Sequence, residues 1–109
     1  MKRVLFVCSQ NRLRSPTAEH IFSGRRDPEV ASAGLNRGAD VELSPELIEW
    51  ADLIFVMEKT HRSRLSSKFR AFLKDKRIIC LDILDDYEYM EPALVTLLER
   101  KVGPFLPAD

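Results

Sequence analysis

The residues best suited to chemistry lie together near the amino terminus, in the segment Cys8-Ser9-Gln10-Asn11-Arg12-Leu13-Arg14-Ser15. A cysteine is followed six positions later by an arginine, a C-x5-R-S pattern, and Ser15-Pro16 comes next. Residues 3–7 (Arg-Val-Leu-Phe-Val) form a short β-branched and aromatic run, the pattern of a buried strand. Ser15-Pro16 reads as a helix start, with Ser at the N-cap and Pro at the first helical position. A loop that curls from a strand into a helix start points several backbone N–H groups at one spot and makes an anion nest. The helix dipole adds partial positive charge there. Arg14 adds a full charge and a planar fork that matches two phosphate oxygens. The same field favours a thiolate, the form in which cysteine is a nucleophile. A thiolate beneath a bound phosphate group is placed to attack phosphorus, and water would then hydrolyse the phosphocysteine. The candidate anion-binding residues are thus Ser9, Gln10, Asn11, Arg12, Leu13, Arg14 and Ser15. Asn11 tolerates left-handed backbone and can tie the loop through its amide. Ser15 has two open roles, a hydrogen bond to the thiolate or a helix cap. The plainer alternative for Cys8 is an inert core residue at a strand end.

The elements that must position this loop are legible in outline. Ala18, Ile21 and Phe22 give the first helix an apolar face, and Gly24 is a suitable end. Residues 29–33 read as a second strand closed by Gly34. Ser44-Pro45 repeats the helix-start signal, with Leu47, Ile48 and Trp50 as the inner face. Residues 53–57 (Leu-Ile-Phe-Val-Met) are the clearest strand, and residues 60–74 carry Leu65, Phe69, Phe72 and Leu73 at helical spacing. Residues 77–81 form a fourth strand, and Pro92 opens a last helix with Leu94, Val95, Leu97 and Leu98 apolar. Alternation of this kind predicts an α/β fold, a single-domain four-stranded parallel sheet with helices on both faces and right-handed crossovers. In such sheets a ligand sits beyond the carboxyl ends of the strands, at the switch point. The first strand ends at Cys8.

Bulk properties exclude several classes. A chain of 109 residues suits one domain, and 45% hydrophobic residues suffice for a core. With 17 basic and 17 acidic side chains the formal charge is zero, which argues against a nucleic-acid partner. Only two cysteines are present, Cys8 and Cys80, too few for a disulfide scaffold. His20 and His61 are isolated and read as surface or partly buried imidazoles, so neither a metal nor a cofactor is expected. No apolar run approaches the roughly 18 residues of a membrane helix. The apolar run that follows Lys2-Arg3 is too short for a signal peptide. A soluble protein of a reducing, cytoplasmic compartment is the expectation.

With these residues in view, the sequence resembles the low-molecular-weight protein tyrosine phosphatases, as a shortened member. Residues 4–17 (Val-Leu-Phe-Val-Cys-Ser-Gln-Asn-Arg-Leu-Arg-Ser-Pro-Thr) resemble that family's first strand and phosphate loop. Ser32-Ala33-Gly34 resembles the motif after its second strand. Residues 51–58 (Ala-Asp-Leu-Ile-Phe-Val-Met-Glu) resemble its third strand and the acidic residue beyond. Residues 83–87 (Ile-Leu-Asp-Asp-Tyr) resemble its Asp-Pro-Tyr loop. The resemblance implies a phosphomonoester hydrolase with Cys8 as nucleophile, Arg14 as phosphate ligand and Asp85 as general acid. It further implies a hydrogen-bond network of Asn11, Ser15 and Ser32, and Tyr87 at the mouth of the site. Asp86 stands where the family has Pro and is the rival acid. On residues alone, Asp82, Asp85 and Asp86 read as a solvated acidic loop. The departures are Leu13 for a frequent second loop cysteine, Gln10 for a usual Gly, Arg12 for an uncharged residue, and no aromatic rim residue in Leu35-Asn36-Arg37-Gly38.

The implied partners are a phosphorylated protein or small phosphoester and the phosphate ion, with no nucleic acid and no membrane. Two alternatives share the loop. An arsenate reductase-like enzyme would need two further cysteines; Cys80 stands at a suitable distance, but no second one follows. A non-catalytic phosphate- or phosphoprotein-binding domain would need Arg14 and the nest but no acid.

Overall fold

Val4, Leu5, Phe6 and Val7 have no exposed surface at all, because the strand that holds them is covered on both faces and paired on both edges. This is β1 (Arg3–Cys8). The computed structural model describes residues 2–107. After β1 come α1 (Arg14–Ser23), β2 (Glu29–Gly34), α2 (Pro45–Trp50), β3 (Leu53–Val56), α3 (Lys59–Phe69), β4 (Arg77–Cys80) and α4 (Pro92–Val102). Single 3-10 turns follow α3 and α4, at Arg70–Phe72 and Gly103–Phe105. The sheet has four parallel strands in the order β2-β1-β3-β4. The predicted α/β sheet with helices on both faces is the architecture observed.

Period-two alternation along the strands sorts the core into two layers. Val4, Phe6 and Cys8 point to the layer filled by Ala18 and Phe22 of α1 and Leu94, Leu98 and Val102 of α4. Leu5 and Val7 point the other way, to Ile48 of α2 and Leu65 and Phe69 of α3. Phe6 stacks between Phe22 and Phe55, with ring centroids 5.9 and 5.4 Å away. The sheet order reverses direction between β1 and β3, so the loops leaving these two strands part and open a crevice above Cys8. Among the described residues no helix is long and apolar enough to cross a membrane.

Two local expectations change. Helix α1 starts one residue before Ser15, with Leu13 in the N-cap position and no side-chain cap. Ser15 is instead inside the first turn, drawn toward Cys8. At α2 the same Ser-Pro signal behaves as predicted: Ser44 is the N-cap and its Oγ accepts from the Leu47 N–H at 3.3 Å. The predicted helix over residues 60–74 ends at Phe69, where the chain tightens into the 3-10 turn Arg70–Phe72 and leaves Phe72 37% exposed, off the buried face that Leu65 and Phe69 share.

The segment after β2 backs the Cys8 loop through its main chain. Leu35 N–H donates to Cys8 O and Asn36 N–H to Ser9 O, each at 2.9 Å, and Asp40 N–H donates to Gln10 O at 3.1 Å. Such close approach explains Gly34. A Cβ there would stand 2.6 Å from Ser9 O and 2.9 Å from Asn11 N, both backbone atoms that cannot swing aside. Gly34→Ala should therefore destabilise the protein by about 1–3 kcal/mol in urea unfolding. Gly24→Ala, where nothing stands within 4 Å and φ is already −75°, should be neutral or stabilising. Equal effects of the two substitutions would contradict the close-packed loop.

Candidate active site

Cys8 ends β1 with its side chain 3% exposed, at the floor of a cavity of about 260 Å³. Ser9, Gln10, Arg12, Leu13, Arg14 and Asp85 line the rest. The Cys8 Sγ lies 2.9 Å from Ser15 Oγ and receives the Asn11 backbone N–H at 3.3 Å. Asn11 bends the loop with φ at 57°, a left-handed conformation that asparagine tolerates better than most residues. Its amide Nδ2 donates to Ser15 Oγ at 3.0 Å and to Ser32 Oγ at 2.8 Å. Ser32 Oγ in turn donates to Glu19 Oε1.

The Asn11 amide sets the direction of the bonds to the two serines. The amide N–H groups can only donate, so both serine oxygens accept from Asn11. Ser32 must then give its own proton to the Glu19 carboxylate, and Ser15 keeps its own proton free to donate to the sulfur at 2.9 Å. Of the two roles open to Ser15 in the sequence, the structure selects the hydrogen bond to sulfur.

Arg14 begins α1 and is 2% exposed. Its Nη1 donates to Glu58 Oε2 at 2.6 Å and to the carbonyl of Ile83 at 2.7 Å. Nε lies 3.8 Å from Asp85 Oδ1. The Nε–Nη2 edge, the one with fork geometry, is thus left for the cavity. Asp85 lines the cavity with its side chain 63% exposed, whereas Asp86 is exposed and does not line it. Tyr87, expected at the mouth, packs instead against the α1–α4 core layer and lines a separate groove with Pro92, Ala93 and Leu97. Arg12 pairs with Asp40 at 3.2 Å in the open.

Cys80 is half-buried at the end of β4, against the opposite core layer from Cys8. Burial raises the pKa of its thiol. Among the described residues no cluster of three or more His, Cys, Asp or Glu could hold a metal ion.

Comparison with known proteins adds to this geometry. Residues 3–50 match the sequence model of the family described as low molecular weight phosphotyrosine protein phosphatase. The arginine phosphatase YwlE from Geobacillus stearothermophilus superposes with a TM-score of 0.75 at 23% identity, over 96% of this chain and 93% of that one. The fold is that of the low molecular weight protein tyrosine phosphatases. Wzb from Vibrio vulnificus, solved with benzylphosphonate, superposes at 0.76 and 22% identity over 95% and 96% of the two chains. The low molecular weight protein tyrosine phosphatase from T. tengcongensis gives 0.72 at 25% identity over 94% of each. No curated protein is significantly similar to the chain in sequence.

Three contributors to the site carry no motif of their own in the sequence. Glu58, noted there only as an acidic residue after β3, holds Arg14; the strand order would have pointed to it, since β3 neighbours β1 across the crevice. Glu19 lies one helical turn past Ser15 and ends the serine–asparagine network. His61, expected at the surface or partly buried, is 2% exposed. It forms a capping box at the start of α3, accepting the Glu58 N–H on Nδ1 at 3.1 Å, while Nε2 lies 2.8 Å from Ser9 Oγ.

Burial, aided by the nearby Arg14 charge, lowers the pKa of His61 from 6.5 to about 4. The unfolded chain therefore binds a proton between those two values that the folded one does not. Stability from this residue is complete above pH 6.5 and is lost as pH falls toward 4, by on the order of 3 kcal/mol. Replacing His61 with Gln, which keeps one donor and one acceptor, should flatten the fall of the melting temperature between pH 6.5 and 4. An unchanged slope would show that His61 is not the titrating group.

Proposed function

We propose that the protein is a cysteine-dependent phosphomonoester hydrolase acting through a phosphocysteine intermediate. The observation that carries this is the convergence on one cavity of Cys8 and Arg14, from the two ends of the first loop, and Asp85, from the segment after β4. The absent side-chain cap at α1 supports it, because the first-turn N–H groups then remain for a bound anion.

The phosphate group binds in the loop of residues 9–15, with two of its oxygens on the Nε–Nη2 edge of Arg14. Cys8 thiolate, stabilised by Ser15 Oγ–H and Asn11 N–H, attacks phosphorus from the cavity floor. The bond to the leaving oxygen breaks, and Asp85 supplies its proton. Water then attacks the phosphocysteine with Asp85 taking a proton, the S–P bond breaks, and phosphate leaves with the thiolate restored. Asp85 is preferred to Asp86 because it alone of the two lines the cavity. Tyr87 is given no part in this scheme.

A phosphorylated protein or a small phosphoester is the substrate. The similar structures include tyrosine and arginine phosphatases, so phosphotyrosine and phosphoarginine peptides are the substrates to compare. A mechanism that needs a reduced thiol suits a reducing compartment, and the cytoplasm is the location we propose. The arsenate reductase alternative gains nothing from Cys80, which faces the other core layer and has no companion in sequence.

Hydrolysis of an aryl phosphate tests the reaction. Cys8→Ser should abolish turnover while phosphate still binds; retained turnover would refute the nucleophile. Arg14→Lys keeps the charge but loses the fork, so both rate and phosphate affinity should drop at least about tenfold. The proton donor is read from leaving groups. Asp85→Asn should slow alkyl phosphates by about 10²–10⁴-fold and good aryl leaving groups far less. Asp86→Asn should leave both unchanged. The opposite pattern would exchange the two roles, and no dependence in either variant would favour a phosphate-binding domain without an acid.

A further inference from the structure

We propose that the Ser9 side-chain hydroxyl donates a hydrogen bond to the anion bound over Cys8, and that His61 is the positioning residue that holds it to that task. This rests on the reading of the cavity as a phosphate site, and not on turnover.

The direction of each bond follows from what the atoms can do. The Glu58 backbone N–H points at His61 Nδ1 from 3.1 Å. A backbone N–H only donates, so Nδ1 carries no proton and the neutral ring has its proton on Nε2. Ser9 Oγ stands 2.8 Å from Nε2 and must accept that proton's hydrogen bond. Burial keeps the ring neutral, since its pKa is lowered to about 4. The arrangement therefore cannot work as a serine activated by histidine: the nitrogen facing the hydroxyl has no free lone pair, so His61 cannot take the Ser9 proton. The opposite role remains. With its oxygen occupied as an acceptor, Ser9 has its own O–H free to donate, and Ser9 lines the cavity that Cys8 and Arg14 line.

His61 and Glu58 thus serve the loop together from one capping box at the start of α3. The Glu58 carboxylate sets the Arg14 guanidinium, and the Glu58 N–H sets the His61 tautomer that sets Ser9. A side-chain donor of this kind adds a bond to a charged oxygen that the backbone nest cannot supply. Ser9 is then a direct ligand of the anion, while His61 acts only through it.

Calorimetric titration of the full chain with inorganic phosphate near pH 7 tests this. Ser9→Ala should weaken phosphate binding by roughly tenfold or more, as expected for a lost bond to a charged acceptor, and Ser9→Thr should retain it. His61→Leu should weaken binding in the wild-type background but cost little further in Ser9→Ala. His61→Gln, with a donor for Ser9 and an acceptor for Glu58, should rescue the affinity. Wild-type affinity in Ser9→Ala would overturn the proposal. So would an equal cost of His61→Leu in both backgrounds, which would place its effect in Arg14 or in the fold. Should His61→Leu fail to fold, the Ser9→Ala and Ser9→Thr pair decides alone. Phosphate binding without aryl phosphate hydrolysis would defeat the hydrolase and leave this proposal to the Ser9 variants. A wild type that binds no phosphate would overturn both.

Discussion

Arg14 carries a full charge with almost no access to water, and much of the surrounding structure meets that cost. A buried guanidinium is tolerable only when its charge is paired and its donors are used. Here the partners come from distant parts of the chain: the Glu58 carboxylate after β3, the Ile83 carbonyl after β4, and more loosely the Asp85 carboxylate. The parallel sheet makes this possible, because it brings the carboxyl ends of β1, β3 and β4 to one edge. The pairing is also incomplete in a useful way. Nη1 is fully engaged by protein, and Arg14 also lines the cavity, so it presents there a charge already held in place.

The loop itself is shaped by hydrogen bonds of fixed polarity. From Glu19 through Ser32 and Asn11 to Ser15, each donor and acceptor role is forced by its neighbour, and Ser15 meets Cys8 Sγ at the end of the network. At the sulfur the Asn11 backbone N–H donates, and the Ser15 hydroxyl lies 2.9 Å away. Packing holds the loop from behind. Gly34 lets the backbone of Ser9 and Asn11 approach β2 at distances any side chain would prevent. The chain after β2 then binds the loop carbonyls of Cys8, Ser9 and Gln10. No carbonyl of these three is left to face an anion unpaired.

The two Ser-Pro helix starts show how tertiary context overrides a local signal. Ser44 has no other claim on its hydroxyl and caps α2. Ser15 has Asn11 and Cys8 within reach, so it leaves the capping position and its helix begins without a side-chain cap. A helix end left open in this way would be a defect elsewhere. Beneath a cavity lined by Arg14 it keeps donors available.

The sequence by itself determined the sheet and the place of the site. Strands of four to six apolar residues alternating with helical patterns leave few options but a parallel sheet, and C-x5-R-S between the first strand and first helix marks the loop that lines the cavity. These are local signals, carried by residues close together in the chain, and the same is true of Gly24 and Pro92 as helix limits. What only the tertiary structure decided depends on residues far apart. The choice of Asp85 over Asp86 for the cavity, the grip of Glu58 on Arg14 and the burial of His61 against Ser9 depend on the strands being brought side by side. The separations are 44 residues for Arg14–Glu58, 52 for Ser9–His61 and 69 for Arg14–Ile83, and no periodicity in a window of a few turns records them. An acidic residue or a histidine in a charged segment looks solvated in sequence, and only the crevice between β1 and β3 makes it part of a site.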